Sequence, residues 1–425
     1  MDRIPLEILH LVCSKLDLED VYPFRLINRR CAEVGASRTF EEVVFYLHPD
    51  DFRQLRNIAQ NYPHYVKSLI CKNTILKDGV TFQEFERSFN VDSGGRKRRV
   101  APSMSQERLR EEYAKYISSW KDQDGWMKDG DDIGYLAEVI SNFTQLKSIY
   151  PIASGRFAVL PGKSPFDQIL SIFHTEAQPI GCRPMALLLS GLRNSEARLE
   201  TIHARNTNPL FFDMYSELLQ QPIAALCCLK CLELFLSEKT TPMELRPFKH
   251  FLTGLPLLEV LSVEFYSPVN LADAIPLGYT WKHLRSLALR GFLGEQEEFV
   301  EITDRHRSTL KELCLGHFVL KFTSFRGLLL HIRENLQLDY ACICGIICGT
   351  QKNGESEGWL IGHPYDRAGP ENRWVSISAY CCNKGSPGGE PCPDRPSLKW
   401  FDEYDDYDAE AILHYNPEFT AWALA

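Results

Sequence analysis

"LLEVLSV", residues 257–263, is the stretch on which the fold turns, because its spacing Leu-x-x-Leu-x-apolar returns along the 425-residue chain. "LKCLEL" stands at 229–234, "LRSLAL" at 284–289 and "LKELCL" at 310–315, so Leu232, Leu261, Leu287 and Leu313 follow at intervals of 29, 26 and 26 residues. Each run ends in strand-like alternation, with every second side chain on one face. Between the runs the apolar residues shift to helical spacing, as in Leu245, Phe248, Phe251 and Leu255, and again in Leu328, Ile332 and Leu336. Strand and helix in strict turn predict an α/β fold made of stacked units. Weaker echoes at "VKSLIC" (66–71), "LKSIYP" (146–151) and "LETIHA" (199–204) extend the pattern upstream, and "CICGII" (342–347) reads as its last core strand.

The period resembles that of leucine-rich repeats. The resemblance implies a solenoid whose leucines point inward, while the residues between them line a concave face suited to a protein partner. Its candidate substrate-binding residues are Lys230, Glu233, Glu259, Arg285, Lys311 and Glu312, interspersed with Cys231, Val260, Ser262, Ser286, Ala288 and Cys314. The asparagine that follows each strand in that family is replaced by Ser237, Tyr266, Phe292 and Phe318, so the array is expected to be irregular. An ordinary α/β domain is the other reading of the same alternation.

A different pattern opens the chain. In "IPLEILHLVCSKLDLED" (4–20), Ile8, Val12 and Leu16 recur every four residues with Leu9 and Cys13 beside them, while Glu7, Ser14 and Lys15 fall elsewhere. This is the spacing of an amphipathic helix, and the interrupting charges argue against a secretory leader. Pro5 suits a first helical turn, Asp17 can cap a second helix and Asn28 a third. Three helices in about 35 residues bury little surface alone, so the apolar stripe calls for a partner.

The whole run "IPLEILHLVCSKLDLEDVYPFRLINRRCAEV" is similar to an F-box. Ile4 replaces the usual Leu, Cys31 and Ala32 stand where many members carry an aromatic residue, and Pro23 is expected to kink the second helix. The resemblance implies binding of the Skp-type adaptor of a cullin-RING ubiquitin ligase through Pro5, Ile8, Leu9, Val12, Leu16, Val21 and Ile27. A plain helical cap on the following domain is the alternative. The expected organisation is a three-helix F-box at 1–40, an irregular repeat and linker at 41–89, a mobile insertion at 90–135, a leucine-rich-repeat-like solenoid at 136–345 and an irregular C-terminal cap at 346–425.

Composition narrows the partners. A formal charge of −9 argues against nucleic acid, and no apolar run approaches the roughly 18 to 20 residues of a membrane span. Fourteen cysteines are too dilute for a disulfide scaffold and, with no leader, are expected to stay reduced in an intracellular protein, cytoplasmic or nuclear. The basic cluster Arg96, Lys97, Arg98 and Arg99 reads as a solvated loop or an import signal, and "KDQDGWMKDGDD" (121–132) as another loop. The acidic stretch "FDEYDDYDAEAIL" near the C-terminus reads as a solvated surface or a docking site for a basic peptide.

Catalytic and metal motifs are weak. Cys342, Cys344, Cys348, Cys381, Cys382 and Cys392 lack the paired Cys-x2-4-Cys spacing of structural zinc, so neither metal nor cofactor is expected. Cys228 and Cys231 have redox spacing but overlap a strand of the repeat, and "GKS" at 162–164 has Phe157 where a phosphate loop needs Gly. No nucleophile elbow or zincin signature is found, so the chain reads as a non-enzyme. The function implied is that of a substrate-recognition subunit, joining the ligase adaptor to a protein substrate of unknown identity. A ligase-independent interaction scaffold is the alternative.

Overall fold

Every one of the leucine runs forms a strand. In the computed structural model, residues 4–73, 76–89, 105–129, 131–153, 182–193, 195–220, 223–236, 245–321, 323–350, 356–361 and 380–382 are described. They belong to two compact units, Met1–Asn206 with Ile223–Ala225, and Thr207–Pro222 with Leu226–Ala425. Both are mixed α/β. The N-terminal helices belong to the first.

In the first unit, strands β1 (Glu42–Tyr46), β2 (Ser68–Asn73), β3 (Ser148–Ala153) and β4 (Thr201–Thr207) pair in parallel and in chain order. The three upstream echoes are therefore strands, with Leu69, Ile149 and Ile202 all fully buried. In the second unit, β5 (Cys231–Leu236), β6 (Val260–Asn270), β7 (Ser286–Glu295), β8 (Glu312–Lys321) and β9 (Tyr340–Thr350) likewise pair in parallel and in chain order. Leu232, Leu261, Leu287, Leu313 and Ala341 face one another across it as one buried rung. Helices Arg246–Thr253 and Phe325–Asn335 occupy the two intervals with helical spacing, burying Phe248, Phe251, Leu328 and Ile332.

One backbone contact recurs at the start of the strands. The carbonyl of Lys230 accepts from the N–H groups of both Glu259 and Val260, that of Glu259 from Arg285 and Ser286, that of Arg285 from Lys311 and Glu312, and that of Lys311 from Asp339 and Tyr340. The first unit repeats it: Glu41 accepts from Lys67 and Ser68, Lys67 from Lys147 and Ser148, and Lys147 from Glu200 and Thr201. Both lone pairs of each carbonyl are used, which fixes the register of the next strand before its side chains pack.

A second recurrent feature bends the strands. Gly291, His317 and Gly345 all have positive φ (75°, 47° and 76°), one in each of β7, β8 and β9. A β-carbon at Gly291 would run into the Phe265 carbonyl, so glycine is required there. Phe292 and Phe318 follow directly, fully buried, against Phe265 and Phe299 respectively. These aromatics therefore pack the residues just after each positive-φ position into the core.

Two expectations are corrected. Residues 121–129, read as loop, lie in the helix Gln106–Asp129, and the next helix, Asp131–Ser141, begins two residues later. The polar composition hid a buried seam: Gln123 accepts from the Leu76 N–H and donates to the Leu47 carbonyl, both at 2.8 Å, and Trp126 packs edge-on to Phe52. Of the insertion placed at 90–135, the described part is helical. At the far end β10 (Ser356–Ile361) pairs antiparallel with β9, a strand in a segment read as an irregular cap. The basic cluster at 96–99, the "GKS" segment and the acidic stretch lie outside the described residues. Among the described residues no helix is long and apolar enough to cross a membrane.

His306 gives the second unit a pH-sensitive joint. It is buried, its Nε2 accepts from the Trp281 N–H at 3.0 Å, and Nδ1 must therefore carry the proton donated to the Ile302 carbonyl at 2.7 Å. Burial is the main cause that lowers its pKa, opposed by the Ile302 bond and helped by Arg305. The unfolded chain takes up a proton near pH 6.5, while the folded ring stays neutral to lower pH. The ring's contribution is therefore complete above about pH 6.5 and is lost as the pH falls below it. Urea midpoints of the full chain should fall over that acidic window, with a shallower slope for His306→Gln; identical slopes would show that His306 is not a determinant.

Candidate functional site

Helices α1 (Leu6–Ser14), α2 (Leu18–Arg25) and α3 (Arg29–Thr39) form from local signals. The Pro5 carbonyl accepts from Ile8 and Leu9, and the Asn28 side chain caps α3 by accepting from the Cys31 N–H at 2.9 Å. Asp17 holds the N-cap position of α2 without a side-chain bond, and α2 runs through Pro23 to Arg25. Leu9, Cys13, Val21, Phe24, Cys31 and Val34 make the core of this module, with Ile4 and Leu16 packed against it. Gly35 lets α3 approach α2, since a β-carbon there would collide with Arg25.

The opposite side of α1 is apolar as well. Ile8, Leu11 and Val12, related by three- and four-residue steps, are about half exposed, and so are Leu6, Tyr22 and Ile27, while Leu26 is 87% exposed. Of the twelve large hydrophobic side chains found exposed among the described residues, seven lie between residues 6 and 27. Scattered exposed apolar residues are ordinary, whereas here they are concentrated on one small module.

The docking set read from the sequence therefore divides. Ile8, Val12 and Ile27 are exposed and Pro5 with them, but Leu9 and Val21 are 2% and 0% exposed and hold the module together, with Leu16 half-buried. Periodicity marks both apolar faces of α1 alike, so it cannot tell the inner one from the outer. Leu6, Leu11, Tyr22 and Leu26 are exposed beside them; the exposure of Leu11 was legible from its three-residue step to Ile8, whereas Leu26 sits in the turn after α2, where no period applies.

The six substrate-binding candidates also divide by position. Lys230, Glu259, Arg285 and Lys311 stand immediately before their strands, at the doubly bonded carbonyls described above, and Glu312 opens β8 exposed. Glu259 and Arg285 line a shallow depression with Lys282, His283 and Thr309. Glu233 lies further along, on the sheet face opposite the leucines, in the row Glu233–Ser262–Ala288–Cys314–Cys342.

That face carries a cysteine cluster. Cys314 on β8 faces Cys342 on β9, Cys344 follows two residues on, and the three Sγ atoms lie within 4.8 Å of one another. Arg290, paired with Glu264 at 3.3 Å, reaches Cys314 Sγ with a guanidinium nitrogen at 3.5 Å. Donation from Cys342 and Cys344 pulls the Cys314 thiol well below its ordinary range, against burial and with help from Arg290. The same donation to Cys314 pushes Cys342 up to about 11, and Cys344 is raised further by its bonds to both neighbours and by burial. Cys231 is elsewhere: burial and then Glu233 push it up to about 11, the reverse of a redox-active thiol. Cys381 is buried in the short segment 380–382, while Cys392 lies outside the described residues.

No family model matches the chain, and no curated protein matches it.

The inward and outward sets make opposite predictions. Leu9→Ala should cost the module about 2–5 kcal/mol, as large-to-small core changes do, whereas Leu26→Ala should stay within about 0.5 kcal/mol. Native-state hydrogen exchange of the α1–α3 amides in the full chain reads both; equal effects would contradict the division.

Proposed function

We propose that the N-terminal helices are an F-box module, and that the protein is a substrate-recognition subunit of a Skp–cullin–F-box ubiquitin ligase. The observation that carries this reading is the exposed apolar set Leu6, Ile8, Leu11, Val12, Tyr22, Leu26 and Ile27 on helices whose own core is already closed by other residues. A module with a filled core keeps an apolar outer face at a cost in solubility, and a groove that takes helices removes that cost. The similarity of residues 4–34 to the F-box pattern supplies the identity of the partner, the Skp-type adaptor.

On this reading the parallel strands are an irregular leucine-rich-type array that presents the substrate. Support comes from their 26-residue spacing over Leu261, Leu287 and Leu313 and from the sequential order of strands. The six positions Lys230, Glu233, Glu259, Arg285, Lys311 and Glu312 set three cations against three carboxylates, which suits a protein partner of mixed charge better than a polyanion. The chemistry is tethering: a substrate held on the array is brought to high effective concentration near a ubiquitin-loaded enzyme bound to the same ligase.

Replacing Ile8 and Val12 together by Asp removes two aliphatic contacts, each contributing about 1.5–3 kcal/mol when fully buried, and places two charges in an apolar groove. Adaptor binding by the purified full chain should weaken by more than about a hundredfold, with the melting curve unchanged. Undiminished binding of the double variant would refute the assignment.

A further inference from the structure

We propose that Cys314, Cys342 and Cys344 form a binding site for zinc, with Arg290 compensating the charge of its thiolates. The inference is independent of the ligase reading. It runs against the expectation from cysteine spacing, which considered Cys342 and Cys344 only with residues C-terminal to them and never with Cys314, 28 positions upstream of Cys342. The pairing of β8 with β9 is what brings the third sulfur in.

The geometry is close to what the ion needs. A tetrahedral zinc with Zn–S bonds of about 2.3 Å holds its sulfurs about 3.8 Å apart, and the three Sγ atoms are already within 4.8 Å of one another on two hydrogen-bonded strands. Cys342 and Cys344 are two residues apart, on the same face of β9, so small side-chain rotations close the set without moving the sheet. Both are at most 3% exposed, and Cys314 is half-buried, which leaves a route for the ion from the β8 side.

Charge is balanced. Zinc displaces one proton from each of three thiols to solvent, and the resulting centre of one dication and three thiolates carries a net charge of −1. Arg290 supplies +1 at 3.5 Å from Cys314 Sγ as a hydrogen-bond donor to a ligand sulfur, the arrangement that steadies thiolate ligands. Gly316 makes this possible: it faces Arg290 across the β7–β8 pair, and a β-carbon there would stand 3.0 Å from Arg290 Cγ, in the path of the side chain. Glu264, at 3.3 Å, holds the guanidinium from the other side. Three protein donors leave a fourth position for water or an incoming ligand, on the same sheet face as Glu233.

Cobalt(II) is the probe, since it takes zinc sites and reports thiolate ligation by charge-transfer absorption. The reduced full chain, stripped with chelator, should develop that absorption to saturation at one cobalt per chain and lose it when one equivalent of zinc is added. Cys342→Ser and Cys314→Ser should each abolish the saturable signal, while Cys227→Ser, at an exposed thiol away from the cluster, should keep it. Because the stoichiometry is read on the unmodified chain, a misfolded variant does not remove the test. Either the lack of saturable charge transfer in the unmodified, reduced chain or persistence of the signal in folded Cys342→Ser would overturn the proposal.

Discussion

The structure depends on one backbone arrangement, a carbonyl just before a strand that accepts two N–H groups from the start of the next. It recurs at Glu41, Lys67 and Lys147 in the first unit and at Lys230, Glu259, Arg285 and Lys311 in the second. A shared acceptor leaves no freedom to slide by one residue, and a slide of one would turn Leu261, Leu287 and Leu313 to the wrong face. The shared acceptor is a backbone group, so it asks nothing of the side chain at these positions, although Lys67 pairs with Glu41 and Lys147 with Glu200 at the surface. That is why Lys, Glu and Arg interchange there while the leucine two residues later does not change at Leu232, Leu261, Leu287 and Leu313.

Fixed register has chemical consequences. It aligns the residues between the leucines into rows across the sheet, and one of those rows places Cys314 against Cys342 and, one step along, Arg290 opposite Gly316. The positive φ of Gly291, His317 and Gly345 falls immediately after this row in β7, β8 and β9. Each of these strands therefore has a regular leucine half and a second half set off by a kink, with the arginine and cysteines at the boundary.

Much of the fold was legible because it is periodic. The four strong runs, the three upstream echoes and the helices at Arg246–Thr253 and Phe325–Asn335 all answer to spacing alone. The helix Gln106–Asp129 was not, since its buried contacts use Gln123, Tyr116 and Trp126 in a charged stretch and reach partners tens of residues away. β10 was missed because its pairing with β9 is antiparallel and outside the period. In the N-terminal module the sequence marked the helices, but amphipathic spacing gave no means of separating Leu9 and Val21, which the module buries, from Ile8 and Val12, which it leaves out. The cysteine cluster was beyond reach for a similar reason: metal-ligand spacing is a property of the chain, whereas Cys314 and Cys342 are neighbours only across strands.

On the proposed function, the outward face of the N-terminal helices is a docking surface and their inward face is not. The most direct measurement is amide and side-chain footprinting of the full chain with and without a purified Skp-type adaptor. Leu6, Ile8, Leu11, Val12, Leu26 and Ile27 should become protected on addition of the adaptor, with no change along the strand-start row from Lys230 to Lys311. Protection confined to the strand-start row, or no protection anywhere in residues 4–39, would contradict it.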